Sequence, residues 1–244
     1  MSSFERQWRG RFERFATRHG EEHQVSGWSA VGLRRRVALF QQLLDGGLFH
    51  PGARLLELGC GAGTYVRLLA KRGHPVVGLD YSLPSLERSL ASDSGGLGRY
   101  VAGEAYALPF ASGSFEGLLC IGVLQALTRP EEALREMLRV LGPGGRLLVE
   151  TLNPWSPLAL TRRMRSRLTG EPLRLHYGAP RGIERALGAT GARALSRISL
   201  LLPPRSLPGL ADPLGTPWVA AAVKAVPGMR HLAPHAFWIV GERS

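Results

Sequence analysis

Along the chain, helix-spaced stripes of apolar residues alternate with short apolar runs of strand length. Phe4, Trp8, Phe12 and Phe15 recur every three or four residues among charged neighbours, the spacing of a helix with one apolar face. A second helix is predicted over Gly32 to Leu44, and Asp45-Gly46-Gly47 leads from it towards the first apolar run, Leu55-Leu56-Glu57-Leu58. Further runs follow at Pro75 to Asp80, Ser114 to Leu124 and the end of Leu134 to Thr151. Helical patterns lie between them, starting at Thr64 to Lys71, at Pro84 to Leu90 and at Pro130 to Leu141, with Gly142-Pro143-Gly144-Gly145 as the stop of the last. Strands alternating with helices predict an α/β fold, a doubly wound and mostly parallel sheet. Beyond Thr151 the pattern predicts a helix from Leu158 to Leu168, a helix from Gly182 to Gly191, a strand from Arg193 to Leu202, a helix from Trp218 to Val226 and a last strand from Ala236 to Gly241.

The first strand ends in Glu57-Leu58-Gly59-Cys60-Gly61-Ala62-Gly63 and runs straight into a helix. A strand, a glycine-rich turn and a helix form the nucleotide-binding corner of doubly wound proteins, where missing Cβ atoms let a ligand approach the backbone. Dinucleotide loops have two residues between their second and third glycines. Here only Ala62 separates Gly61 from Gly63, and Glu57 stands two residues before Gly59. A carboxylate there repels a pyrophosphate and suits a cationic amino-acid ligand. A flavin or nicotinamide loop, or an ordinary strand–helix turn, stays open on this segment alone.

The segment resembles the first motif, acid-x-Gly-x-Gly-x-Gly, of the class I S-adenosylmethionine-dependent methyltransferases. Four further segments are similar to that family in order and spacing: Pro75 to Asp80; Gly103-Glu104-Ala105-Tyr106-Ala107-Leu108-Pro109-Phe110; Ser114 to Leu124; and Leu134 to Thr151. Two positions depart from the usual pattern, Glu104 and Glu116, each standing where Asp is common. The likeness covers residues 50 to 153. It implies a seven-stranded sheet whose last strand runs antiparallel, and S-adenosyl-L-methionine as cofactor. It also implies a division into an N-terminal helical cap, 1–45, and a Rossmann-like domain, 46–244, with a lid-like insert at about 154–180. The site it implies comprises Glu57, Gly59, Cys60, Gly61, Gly63, Asp80, Tyr81, Glu104, Ala105 and Ile121. Glu57 would serve the cofactor's ammonium side, directly or through water, and Asp80 its ribose hydroxyls. Tyr81 would lie on the adenine face, Glu104 and Ala105 at the adenine edge, and Ile121 would line the site. Asp80 also reads as a helix cap and Tyr81 as plain packing. Many small-molecule relatives carry His after the fourth strand. This chain has Gln125 there, which accepts no proton at neutral pH. His19, His23 and His176 with Tyr177 remain candidate bases, while His50, His74, His231 and His235 read as structural or exposed, so no catalytic residue is assigned. The chemistry needs no metal.

Composition changes this picture little. The 244 residues have 44% hydrophobic and 20% charged content, values of a globular enzyme. No apolar run spans a membrane, the charged N-terminus lacks a secretory pattern, and two cysteines give no disulfide framework, so a cytoplasmic location is expected. The net charge is +12, and only Lys71 and Lys224 are lysines among the basic residues. Arg34-Arg35-Arg36 and the cluster Arg162, Arg163, Arg165 and Arg167 read as solvated helix faces, with an anionic substrate or a membrane surface as the other reading. No nucleic-acid motif accompanies them. The expected enzyme transfers a methyl group to a small molecule. The alternatives are an RNA- or protein-directed methyltransferase of the same fold, a non-catalytic cofactor-binding protein, and a nicotinamide oxidoreductase, which the glycine spacing opposes. The oligomeric state is not fixed by the sequence.

Overall fold

The computed structural model describes residues 2–18, 21–173, 175–201, 225–226 and 228–244. Three N-terminal helices, α1 (Ser3–Arg18), α2 (Glu22–Val25) and α3 (Ala30–Asp45), precede the sheet. The strands are β1 (Leu55–Leu58), β2 (Val76–Asp80), β3 (Arg99–Ala102), β4 (Phe115–Cys120), β5 (Leu141–Leu152), β6 (Ala192–Leu200) and β7 (Ala236–Arg243). Between them lie α4 (Thr64–Lys71), α5 (Leu83–Ser92), α6 (Pro130–Val140), α7 (Pro157–Thr169) and α8 (Pro180–Ala189). The seven strands are ordered β3-β2-β1-β4-β5-β7-β6. The pairs from β3 to β5 are parallel, and β7 runs antiparallel to both β5 and β6. The central strands carry few polar residues because both faces are buried: β1 is buried at all four positions. One layer of core packs α6 and α8 on the sheet through Leu134, Met137 and Leu187, and the opposite layer packs α3 and α4 through Phe40, Tyr65 and Leu69. The order changes direction between β1 and β4, whose carboxyl ends are the place for a ligand crevice in such sheets.

Helix bounds follow local signals. Ser29, Ser82 and Ser156 each accept an N-terminal backbone amide of α3, α5 and α7. One expected stop is different. Helix α6 ends at Val140 without a left-handed glycine, and Gly142 to Gly145 belong to β5. Leu141 is already extended, at φ −80° and ψ 132°, and pairs with Phe115 before a register shift brings Arg146 opposite Gly117. The glycines thus allow an irregular strand start instead of closing a helix. The helix expected from Trp218 to Val226, apart from 225 and 226, and the last residue of the strand expected from Arg193 to Leu202 lie outside the described residues.

Glu5 both caps α1 and ties it to the loops that carry Tyr106 and Thr128. Ser2 and Glu5 form a capping box: the Glu5 amide donates to Ser2 Oγ at 3.1 Å, and the Ser2 amide donates to Glu5 Oε2 at 2.8 Å. Glu5 Oε1 meanwhile accepts from Thr128 Oγ1 at 2.7 Å and from Tyr106 Oη. Burial pushes the Glu5 carboxyl up, but these donors outweigh it and hold it at about 2. A depressed carboxylate stabilises the fold fully above its ordinary value of 4.5, and that contribution is lost as pH falls towards 2. Glu5→Gln is therefore expected to loosen α1, read as several-fold faster tryptic cleavage at Arg6 and Arg9 at pH 7. Unchanged cleavage would show that α1 is held by its aromatic face alone.

Candidate functional site

The crevice at the carboxyl ends of β1, β2 and β4 is a cavity of about 380 Å³. Its floor is Glu57 to Gly61, Asp80 and Tyr81, one side is Gly103 to Tyr106, and Ile121 to Val123 complete the strand tips. Helix α1 faces it with Trp8, Arg9 and Phe12, and the segment after α2 with Ser26 and Trp28. Of the ten expected residues, nine line this one cavity; Gly63 stands behind it as the N-cap of α4, with φ +76°.

Backbone bonds fix the glycine loop. The amides of Gly59 and Cys60 both donate to Leu79 O, at 2.7 and 3.1 Å, so the tip of β2 sets where the loop turns. Ser89 Oγ donates to Gly61 O at 2.6 Å. Two glycines are required for different reasons. At Gly59, with φ +74°, a Cβ would lie 2.2 Å from Val123 Cγ2, so no side chain fits. At Gly61, with φ +54°, the nearest atom to a Cβ would be Ser26 Oγ at 3.9 Å. A Cβ there meets no packed neighbour and instead takes room in the cavity.

Two acids sit in this floor. Asp80 is buried; its Oδ2 accepts the Gly61 amide at 2.9 Å and its Oδ1 the Ser82 amide at 2.9 Å. Burial pushes its pKa up, and the amide donors of Ser82 and Gly61 only partly pull it back. Glu57 is only 3% exposed, and among the described residues its Oε2 has no hydrogen-bond partner. Burial drives its carboxyl well above the ordinary range; a hydrogen bond from the Val66 backbone amide opposes this only in part, and the charge of Asp80 adds to it. A buried carboxyl oxygen without a donor is costly in a native protein. The arrangement suits a ligand that brings a cation to Glu57 and hydroxyls to Asp80. On the other side, Tyr81 lies under the Arg9 guanidinium, 4.8 Å from its ring centre, and Arg9 pairs with Glu104.

Several features depart from the sequence reading. Trp8 and Phe12 appear there only as a helical stripe, and Trp28, Ser26 and Arg9 not at all; a stripe shows that a face is apolar, not what it faces. Arg36, read as part of a solvated cluster, is 3% exposed and forms a two-pronged ion pair with Glu150 of β5, at 2.8 and 2.9 Å. Trp238 Nε1 donates to Glu150 Oε2 as well, at 2.8 Å. The helix period that puts Arg36 on the same face as Phe40 carries it inward. Among the candidate bases, His23 and His176 line neither this cavity nor the one beyond it, and His19 lies outside the described residues. His235, read as structural or exposed, lines that second cavity. Cys60 lines the first cavity, whereas Cys120 is buried in the core away from it.

Residues 56–149 match the family model described as the methyltransferase domain. A demethylmenaquinone methyltransferase of Renibacterium salmoninarum is 41% identical over 101 residues, covering 41% of each chain. The curated relatives are matched over 26% to 60% of their own length. The crystal structure of magnesium protoporphyrin IX methyltransferase from Synechocystis PCC 6803, solved with bound SAH, covers 99% of this chain and 100% of its own at TM-score 0.67 and 15% identity. The [4+2]-cyclase SpnF covers 84% of this chain and 80% of its own at TM-score 0.60 and 20% identity. These structural likenesses establish the fold, and the last of them carries a different reaction on it. Among the described residues, no helix is long and apolar enough to cross a membrane.

Proposed function

We propose that this chain, whose residues 56–149 match the methyltransferase domain, is a class I S-adenosylmethionine-dependent methyltransferase and transfers a methyl group from S-adenosyl-L-methionine to a small molecule. One observation carries this reading: the Glu57 carboxyl with its donorless Oε2, the Asp80 carboxylate and the open space at Gly61 share one cavity. Glu57 would hold the ammonium of the cofactor, Asp80 its ribose hydroxyls, and Tyr81, Glu104 and Ala105 its adenine. When bound, that cofactor supplies a methyl group on a sulfonium, transferable by in-line displacement. The protein's part is positioning: α1 and Trp28 exclude water, and the strand tips fix one reactant against the other. No general base is assigned. Residues 1–45 serve as a cap, 46–244 as the catalytic domain with a lid-like insert at about 154–180, and the location is the cytoplasm, a reading supported by two free buried thiols.

Calorimetry tests the proposal. Micromolar-range binding of S-adenosylmethionine or its demethylated product is expected, and Asp80→Ala weakens it at least about tenfold, the loss of one charged hydrogen-bonding group. Binding unchanged in that variant, or absent in the native protein while a nicotinamide dinucleotide binds, would overturn the assignment.

A further inference from the structure

Beyond the first cavity lies a second of about 570 Å³, and Trp8, Phe12, Ser26 and Trp28 line both. Trp28 forms the partition. It packs on the end of β4, where a Cβ on Gly122 would come 2.6 Å from Trp28 Cζ2, and the Arg36 guanidinium lies 4.4 Å from its ring centre. The walls are aromatic and aliphatic: Phe12, Phe15, Trp28 and Tyr177, with Leu152 and Leu175.

The charge in this second cavity is one-sided. Among its described lining residues are Arg11, Arg36, Arg162 and Arg165, against the single acid Glu171. Arg36 is cancelled by Glu150 behind the wall. Arg165 reaches Glu171 only at 3.8 Å, with both side chains more than half exposed, a geometry of little energetic value. Arg162 donates to Tyr177 Oη at 2.9 Å, a neutral partner, and no carboxylate among the described residues forms an ion pair with it. His235 adds no charge near pH 7, because burial and then Arg36 hold it down to about 4. Gln125 lines the same space, and its buried Oε1 lacks a donor among the described residues. A flat apolar body fits the aromatic walls, and an anionic group fits the guanidinium end, since arginine forks match planar oxyanions.

We propose that this second cavity holds the methyl acceptor, and that the acceptor is a flat apolar molecule bearing an anionic group held by Arg162 and Arg165. The inference rests on the methyltransferase reading, because it takes the first cavity as the cofactor's. The probes are 8-anilinonaphthalene-1-sulfonate and its uncharged counterpart N-phenyl-1-naphthylamine, followed by fluorescence with S-adenosylhomocysteine present at saturation. Both are expected to bind. Arg162→Gln with Arg165→Gln weakens the sulfonate on the order of tenfold, as for charged hydrogen bonds, and changes the uncharged probe by less than about twofold. Arg162→Lys with Arg165→Lys, which keeps the charge, restores most of the sulfonate's affinity. Equal losses for both probes, or no loss for the sulfonate, would overturn the proposal. Should calorimetry find no S-adenosylhomocysteine binding, the cofactor reading fails by itself, and the comparison of probes still decides the nature of the second cavity.

Discussion

Arg36→Met is expected to destabilise the protein by about 3–5 kcal/mol, the cost of leaving a buried charge without its partner. Glu150 is fully buried, and in the native protein Arg36 and the Trp238 indole supply its donors. Burial pushes the Glu150 carboxyl up, but the charge and hydrogen bonds of Arg36 outweigh it, so its pKa is lowered. The sign for stability follows: the contribution of this carboxylate is present above its ordinary value of 4.5 and is lost as pH falls through its depressed folded value. In Arg36→Met the carboxylate loses the largest of the influences that lowered its pKa, keeping the Trp238 donor, and the stability deficit shrinks as pH falls and Glu150 takes up a proton. Urea unfolding at pH 7 and pH 5 measures this. Adding Glu150→Gln to Arg36→Met should recover much of the loss, because the double variant buries no unpaired charge. A deficit under about 1 kcal/mol at pH 7, in the range of exposed ion pairs, would mean that water reaches the pair.

Glu57→Gln is expected to act oppositely on stability and on binding. The folded, ligand-free protein holds the Glu57 carboxyl well above its ordinary range by burial. A group raised in this way favours the fold below its unfolded value, and that contribution is lost as pH rises through the folded value. The burden of this buried acid therefore grows as pH rises above its unfolded value. The neutral amide relieves it by about 1–3 kcal/mol, the scale of a buried unsatisfied group. The gain should fade towards pH 5, where the native carboxyl is protonated. Binding of S-adenosylhomocysteine should weaken at least about tenfold, since a charge-assisted hydrogen bond is worth 1.5–3 kcal/mol. Thermal unfolding at pH 5 and pH 8 and calorimetry read both effects. A variant that is less stable and binds normally would make Glu57 a plain structural residue.

Those two residues also mark how far the sequence can be read. Glu57 was legible because its surroundings are local: a strand, three glycines and a helix within ten residues produce one shape. The same locality made the start of α4 and the placement of Asp80, at the next strand tip, readable. Arg36 was not, since its meaning depends on Glu150, 114 residues away, and an arginine triplet looks the same whether it points to water or to a carboxylate. The antiparallel last strand followed from the family likeness. Its insertion between β5 and β6 is a tertiary choice that an apolar run such as Ala236 to Gly241 does not encode. The glycines after α6 misled for a related reason. Their composition fits a helix stop, while pairing with β4 draws Leu141 and its followers into the strand. Trp28 lacks any periodic context, so only the folded chain shows it between two cavities.

The most direct trial of the whole account is a crystal structure of the protein soaked in S-adenosylhomocysteine. The account predicts the nucleoside in the cavity between β1, β2 and α1, its ammonium against Glu57 and its ribose hydroxyls on Asp80. Density for the compound elsewhere, or a cavity filled by the protein's own side chains at saturating compound, would contradict it.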